Sequence, residues 1–193
     1  MYAHLIDEAI AFLKTIFPIE KQLEEKLRSF LFIKMFSPRA MLLEEGQLCN
    51  YVYFIAKGVV RIYSSRDEKE FNSWILMDND LIVSPDSFFL RTPSVDNLQA
   101  LKKTLVVGLF YEHMQQLFRE YHSFLWIGFI LVTRYYAGNH IRTRSLIDTT
   151  NEERYQNLVK EHPKLAQSIT NEHLSSYLGM SDATLERARR NKF

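Results

Sequence analysis

The sequence has a single cysteine, Cys49, among 193 residues. One thiol closes no internal disulfide and cannot build a four-thiolate zinc or iron–sulfur site. The expected setting is a reducing compartment, and the expected role of Cys49 is that of a small buried apolar residue. An excess of charge is also missing: 24 Lys and Arg stand against 23 Asp and Glu, a net charge of +1. Bulk charge therefore cannot hold a nucleic acid, and any DNA contact has to come from a local cluster. No long apolar run occurs either. The strongest, Phe124 to Val132, lies between His122 and Arg134, well short of the roughly 20 residues that span a membrane. The N-terminus, Met1 to Phe17, carries Asp7 and Glu8 and no basic segment, so it does not read as a secretion signal. A cytoplasmic protein without a membrane partner is expected. There is no GxSxG, no P-loop, no recognisable catalytic carboxylate pair and no Cys/His nucleophile motif, and the six histidines show no HExxH spacing. These absences argue against an enzyme and lead us to expect neither a metal site nor a cofactor.

What is present suffices for a packed core. The chain is 47% hydrophobic and 24% charged, close to the average for globular proteins and enough for one large or two small domains. Positions 1–36 read as helix, interrupted at Pro18, with Leu5, Ala9, Phe12, Leu13 and Ile16 on one face and Leu23, Leu27, Phe30 and Leu31 continuing the pattern. From Ser37 the period changes. Short β-branched and aromatic runs (Tyr51–Ile55, Val59–Tyr63, Phe71–Ile75, Thr104–Leu109) are separated by turn signals at Glu45-Gly46, Lys57-Gly58, Arg66–Glu68, Asp78–Asp80 and Thr92–Ser94, which predicts an antiparallel barrel or sandwich. Glu112 to Asp148 reads as helix again, with Gly128 and Gly138 as its only breakers. Phe124, Ile127, Leu131 and Tyr135 fall at helical spacings, and Phe129, Val132 and Tyr136 widen the apolar face. Such a helix needs cover on more than one side. A second copy of the chain supplies it most simply; a central core helix of a monomer is the alternative.

Beyond a polar hinge at Thr149–Glu152 lie three short helical patterns, of which the last two carry the chemistry. Thr170 is a cap candidate for Asn171–Leu178, whose Leu174 and Leu178 point inward and whose small Ser175 allows close approach. Gly179 suits the left-handed residue that ends a helix, Met180 fills the gap, and Ser181 caps Asp182–Arg190, with Leu185 and Ala188 inside. This predicts a helix-turn-helix, whose second helix enters the major groove. Arg187 suits a guanine edge, and Arg189, Arg190 and Lys192 suit phosphates, with Ser181, Asp182 and Thr184 beside them. A solvated basic helix end is the plainer alternative.

With these residues in view, the chain resembles a regulator of the Crp/Fnr family, the bacterial transcription factors related to the cyclic-AMP receptor protein. The resemblance covers about residues 20–193. It rests on Leu42–Gln47 followed by Tyr51–Tyr63, on Asn97–Leu101, and on His173–Ser181 with Thr184–Arg187. It implies an α+β architecture: an N-terminal β-roll of the cyclic-nucleotide-binding jelly-roll type with its helices (1–112), a long dimerisation helix (113–148) and a small helix-turn-helix domain (149–193). It implies a homodimer paired through the long helix, an effector pocket in the β-roll and double-stranded DNA as partner, with RNA polymerase as a further candidate.

The departures from the family sharpen the expectation. Its cyclic-nucleotide cassette uses a Gly-Glu pair for the ribose and an Arg-Ser or Arg-Thr pair for the cyclic phosphate. The aligned positions here are Val83-Ser84 and Ser94-Val95, with Asp86 and Asp96 nearby. A phosphate buried without a cation is costly, so cyclic AMP is not the expected effector; Arg91 is the one substitute cation in reach. Asn139 and His140 align with positions that face the nucleotide base and are candidates for contact with another small molecule, or for plain surface polarity. Asp182-Ala183 stands where the family often has Arg-Glu or Pro-Glu, and no β-hairpin wing follows, so DNA binding is expected to be weaker and more salt-sensitive. The expectation is a DNA-binding transcription regulator with an unknown effector or none. The alternative is an effector-binding or protein-interaction module whose DNA binding has degenerated.

Overall fold

A computed structural model of the chain describes residues 2–67 and 69–190. Two amphipathic helices, α1 (His4–Ile16) and α2 (Lys21–Phe30), lead into the strands β1 (Phe32–Phe36), β2 (Met41–Leu43), β3 (Tyr51–Lys57), β4 (Val59–Arg66), β5 (Lys69–Met77) and β6 (Leu81–Ile82). A short helix, α3 (Pro85–Leu90), precedes β7 (Asn97–Ala100) and β8 (Thr104–Phe110). The helical part comprises α4 (Tyr111–Glu120), α5 (His122–Asp148), α6 (Asn151–Glu161), α7 (Pro163–Ser168), α8 (Asn171–Leu178) and α9 (Asp182–Arg190). The strands form two antiparallel sheets, ordered β1-β8-β3-β6 and β2-β7-β4-β5, which enclose a core of Tyr53, Ile55, Val60, Ile62, Leu98 and Val106.

Helix does not run through 36. It ends at Phe30, with Leu31 already extended, and Phe32–Phe36 pairs with β8 from Phe32↔Gly108 to Phe36↔Thr104. Phe30, Leu31 and Phe32 extend the apolar pattern of α2 past its end, which hid the change of period. The expected helix from 112 to 148 is likewise two helices. Tyr121 takes extended angles (φ −129°, ψ 110°) between them, so residues 113–120 belong to α4.

Continuous apolar runs mark strands covered on both faces. On β3, Tyr53 and Ile55 face the roll interior while Phe54 packs under Leu5 and Ala9 of α1. On β4, Val60 and Ile62 face inward, whereas Val59, with Ile75 of β5, joins Leu158, Leu165, Leu174, Leu178 and Leu185 from the C-terminal helices. The C-terminal helices thus share one apolar cluster with the outer face of the roll. At the β3–β4 turn, Gly58 has φ +132°, and a Cβ there would lie 2.4 Å from Thr104 Oγ1, so no side chain fits.

Candidate functional site

The corner where the resemblance places a cyclic phosphate is lined by buried hydroxyls. Ser84, just before α3, and Ser94, just before β7, are fully buried at 0% and 2% exposure. Their hydroxyl oxygens lie 3.0 Å apart. Ser84 donates to Asp86 Oδ1 at 3.1 Å, and Ser94 Oγ accepts from the Asp96 amide at 3.1 Å. Burial first, then the neighbouring carboxylates of Asp86 and Glu45, raise the pKa of Asp96. The surroundings are neutral to acidic. Arg91 is engaged elsewhere: it donates to the Cys49 carbonyl at 2.8 Å and to Asn50 Oδ1 at 2.7 Å, and its guanidinium stacks 3.9 Å from the Tyr111 ring centroid. It is not aimed at the serine pair. Val83 is half-buried beside a cavity, whereas Val95 is exposed. Cys49 is buried, and desolvation raises its thiol pKa, as expected of a residue that packs rather than reacts.

On α5, Asn139 Oδ1 accepts from the indole Nε1–H of Trp74 at 3.0 Å. Asn139 therefore faces β5 and holds the Trp74 ring; His140 beside it is exposed.

The C-terminal region has the local geometry read from its sequence. Thr170 Oγ1 accepts from the His173 amide and caps α8. Gly179 ends that helix in the left-handed region at φ +64°, ψ 40°. Ser181 Oγ accepts from the Thr184 amide at 3.2 Å and caps α9. Leu174, Leu178, Leu185 and Ala188 are buried, and Met180 packs against them. Among the residues expected to read DNA, Thr184, Arg187 and Arg190 line one open cavity of about 290 Å³ together with Asn151 and Glu152 at the start of α6. The Arg187 guanidinium donates to Thr184 Oγ1 at 3.2 Å. Two others are turned to structural contacts: Asp182 accepts a hydrogen bond from Ser175, and Arg189 donates to Asn171 Oδ1 at 2.7 Å and pairs with Glu186 at 3.3 Å. Lys192 lies outside the described residues.

A polar seam beneath α8 was not anticipated. Arg61, 4% exposed on β4, pairs with Glu70 at 2.6 Å, donates to Gln99 Oε1 at 2.9 Å and lies 3.4 Å from His173 Nδ1 of α8. Asn72 donates its amide to Ser176 Oγ at 2.9 Å and its side chain to the His173 carbonyl at 3.1 Å. Arg142 of α5 donates to the Tyr177 carbonyl at 2.7 Å and stacks over the Tyr177 ring at 4.0 Å. Burial lowers the pKa of Arg142. Burial, and then the Arg61 charge, lower the pKa of His173. The available signal was Arg61 itself, a cation inside the apolar run Val59–Tyr63. A charge at that place requires partners brought from outside the strand.

Known proteins share this architecture. Residues 33–121 match the profile of the cyclic nucleotide-binding domain family. No curated protein sequence matches the chain. The structure of FixK2 from Bradyrhizobium japonicum is similar at 15% identity and a TM-score of 0.72, over 83% of this chain and 83% of that one. A CooA variant from Carboxydothermus hydrogenoformans matches at 17% identity and a TM-score of 0.70, over 93% of this chain and 83% of its own. A protein assigned to the Crp/Fnr family of transcriptional regulators, from Eubacterium rectale, matches at 15% identity and a TM-score of 0.70, over 89% and 82%. Residues 33–121 thus carry the pattern of a cyclic nucleotide-binding domain, within a chain that has the fold of Crp/Fnr-type regulators.

Proposed function

We propose that the chain is a cytoplasmic, homodimeric, DNA-binding transcription regulator of the Crp/Fnr type, that it is not an enzyme, and that it responds to a small effector other than cyclic AMP or to none. The observation that carries this reading is the helix-turn-helix of α8 and α9, which presents Thr184, Arg187 and Arg190 to solvent beside the start of α6. Ser181, Asp182, Arg189 and Lys192 complete the DNA-facing set. The division into 1–112, 113–148 and 149–193 follows from this reading, with α5 as the dimerising rod.

In the single chain α5 leaves apolar surface uncovered. The 27 residues of α5 span about 40 Å at ~1.5 Å per residue. Leu125, Phe129, Val132 and Tyr136, three and four apart, are all exposed in the single chain. That stripe has the spacing of a coiled-coil seam, and a second α5 covers it. A two-fold dimer then presents two α9 helices to half-sites about one DNA turn apart. RNA polymerase is a candidate partner of such a complex. The serine-lined corner and the carboxylates around it support the exclusion of cyclic AMP.

The test is fluorescence anisotropy at low salt on the promoter DNA beside the protein's own gene, paired with sedimentation. Saturable binding by a species of twice 22.9 kDa is expected. The engagement of Asp182 and Arg189 inside the motif favours a second reading, an effector-binding or interaction module with degenerate DNA binding. Absence of binding by an intact dimer would select it.

A further inference from the structure

Beside the serine corner, three segments are tied together by their own hydrogen bonds. The Cys49 amide donates to Ser87 Oγ of α3 at 2.9 Å, and Arg91 donates back to the Cys49 carbonyl at 2.8 Å. The Gly46 amide donates to the Ser94 carbonyl and the Ser94 amide to the Gln47 carbonyl, each at 2.8 Å. These neighbouring segments carry four exposed apolar side chains: Leu48, Phe89, Leu90 and Val95, the last two 72% and 61% exposed. Apolar residues exposed singly are ordinary, whereas a group of them rimmed by polar residues marks a contact surface. Leu48 also walls a partly open cavity of about 160 Å³ with Leu42, Tyr51 and Tyr53, close to the ~150 Å³ that holds one benzene ring.

Charge narrows the kind of partner. Residues 44–51 and 84–97 hold four acids, Glu44, Glu45, Asp86 and Asp96, against one cation, Arg91. Arg91 is committed within the fold, to the Cys49 carbonyl, to Asn50 Oδ1 at 2.7 Å and to the face of the Tyr111 ring. Burial, then the charges of Asp86 and Glu45, raise the pKa of Asp96, and no cation offsets them. A cationic partner relieves this repulsion between carboxylates. DNA and an anionic membrane are both repelled by the same rim.

We propose that this corner is a docking surface for a basic amphipathic helix of a partner protein. The apolar face of that helix covers Leu90 and Val95, one of its rings enters the cavity beside Leu48, and its lysines and arginines meet the carboxylates. The tied segments hold the patch in shape before the partner arrives, so little freedom is lost on binding. The surface is distinct from the DNA-reading helices and does not depend on them.

The probe is a labelled synthetic helix of about 14 residues, with lysines on one face and leucines around a central phenylalanine on the other. It is titrated into the full-length chain and followed by fluorescence anisotropy. Saturable binding of one peptide per chain is expected, with hydrogen-exchange protection at 46–49 and 86–96. A peptide with glutamate for lysine and another with serine for leucine are each expected to bind about tenfold or more weaker. The double variant Leu90→Ser and Val95→Ser, and separately Glu45→Lys, are expected to weaken binding about tenfold or more at unchanged circular dichroism. All three side chains are exposed, so the fold does not rest on them.

No binding, equal binding of the glutamate or serine peptide, protection elsewhere, or indifference to both variants would each overturn the proposal. Sedimentation beyond the dimer that Leu90→Ser abolishes would give the patch to a second copy and overturn it too, as would binding of phosphatidylglycerol vesicles through the same residues. A chain that binds the lysine peptide but no DNA keeps this surface and loses the regulator reading. One that binds DNA but no peptide does the reverse.

Discussion

At the corner between α3 and β7, Ser84 and Ser94 face each other with no cation beside them, and Asp86 and Asp96 stand behind. On the outer face of β4 and β5, the buried Arg61 and Asn72, the half-buried His173 and the exposed Glu70 form a polar network against α8. Both places are desolvated, yet one holds no cation and the other is built around one. Buried charge persists only where partners satisfy it. Arg61 has Glu70, Gln99 and the ring of Tyr63, 3.8 Å away. At the corner the serine hydroxyls bond each other and the nearby charges are the carboxylates of Asp86 and Asp96, which offer an anion nothing to pair with. The corner therefore reads as a place that no longer waits for an anion, and the seam as a place where the fold itself supplies every partner.

The largest test of that contrast removes apolar support from the seam. Leu174 is fully buried between α8 and the roll. Leu174→Ala is expected to cost about 2–5 kcal/mol in urea unfolding and to expose α8 to hydrogen exchange before the roll. Simultaneous exchange of both would mean that the seam does not divide the molecule. Next, Arg187→Ala is expected to lose about 1–3 kcal/mol of discrimination between operator and scrambled DNA while melting is unchanged. An equal loss on both sequences would make Arg187 a phosphate contact only. At the corner, Ser94→Ala is expected to destabilise by about 1 kcal/mol, and unmodified protein should give no calorimetric signal with cyclic AMP. Saturable cyclic AMP heat would mean that the serine corner opens after all.

The smallest effect concerns pH. The folded pKa of His173 is lowered, first by burial and then by Arg61, so docking favours the neutral ring. This contribution is present above the ordinary histidine pKa, near 6.5, and fades as pH falls below it. Hydrogen exchange in α8 should accelerate between about pH 7 and 5 relative to the roll, and His173→Gln should flatten that dependence. An unaltered slope in the variant would assign it to another group, Glu70 and Glu172 being the nearest acids.

Much of this molecule was legible along the chain. Short β-branched and aromatic runs and the turn residues between them located β3, β4, β5 and β8, and Thr170, Gly179 and Ser181 marked the helix-turn-helix to the residue, because caps and left-handed turns are decided within a few residues of backbone. That Ser94 stands where the resemblance expects an arginine was legible. Its consequence, a hydroxyl pair bonded to itself, was not.

Local sequence determined where the two C-terminal helices begin and end and which strand runs are apolar. Tertiary structure alone decided that β4 is covered on both faces, that Asp182 and Arg189 bond inside the motif, that Asn139 holds an indole, and that the loop of Leu48 is tied to α3 and to Ser94. The physical reason is range. Capping and turn preference act over three or four residues, whereas Arg61 and Asn72 meet His173, and Trp74 meets Asn139, across 65 to 112 positions, a pairing that only the packed chain specifies.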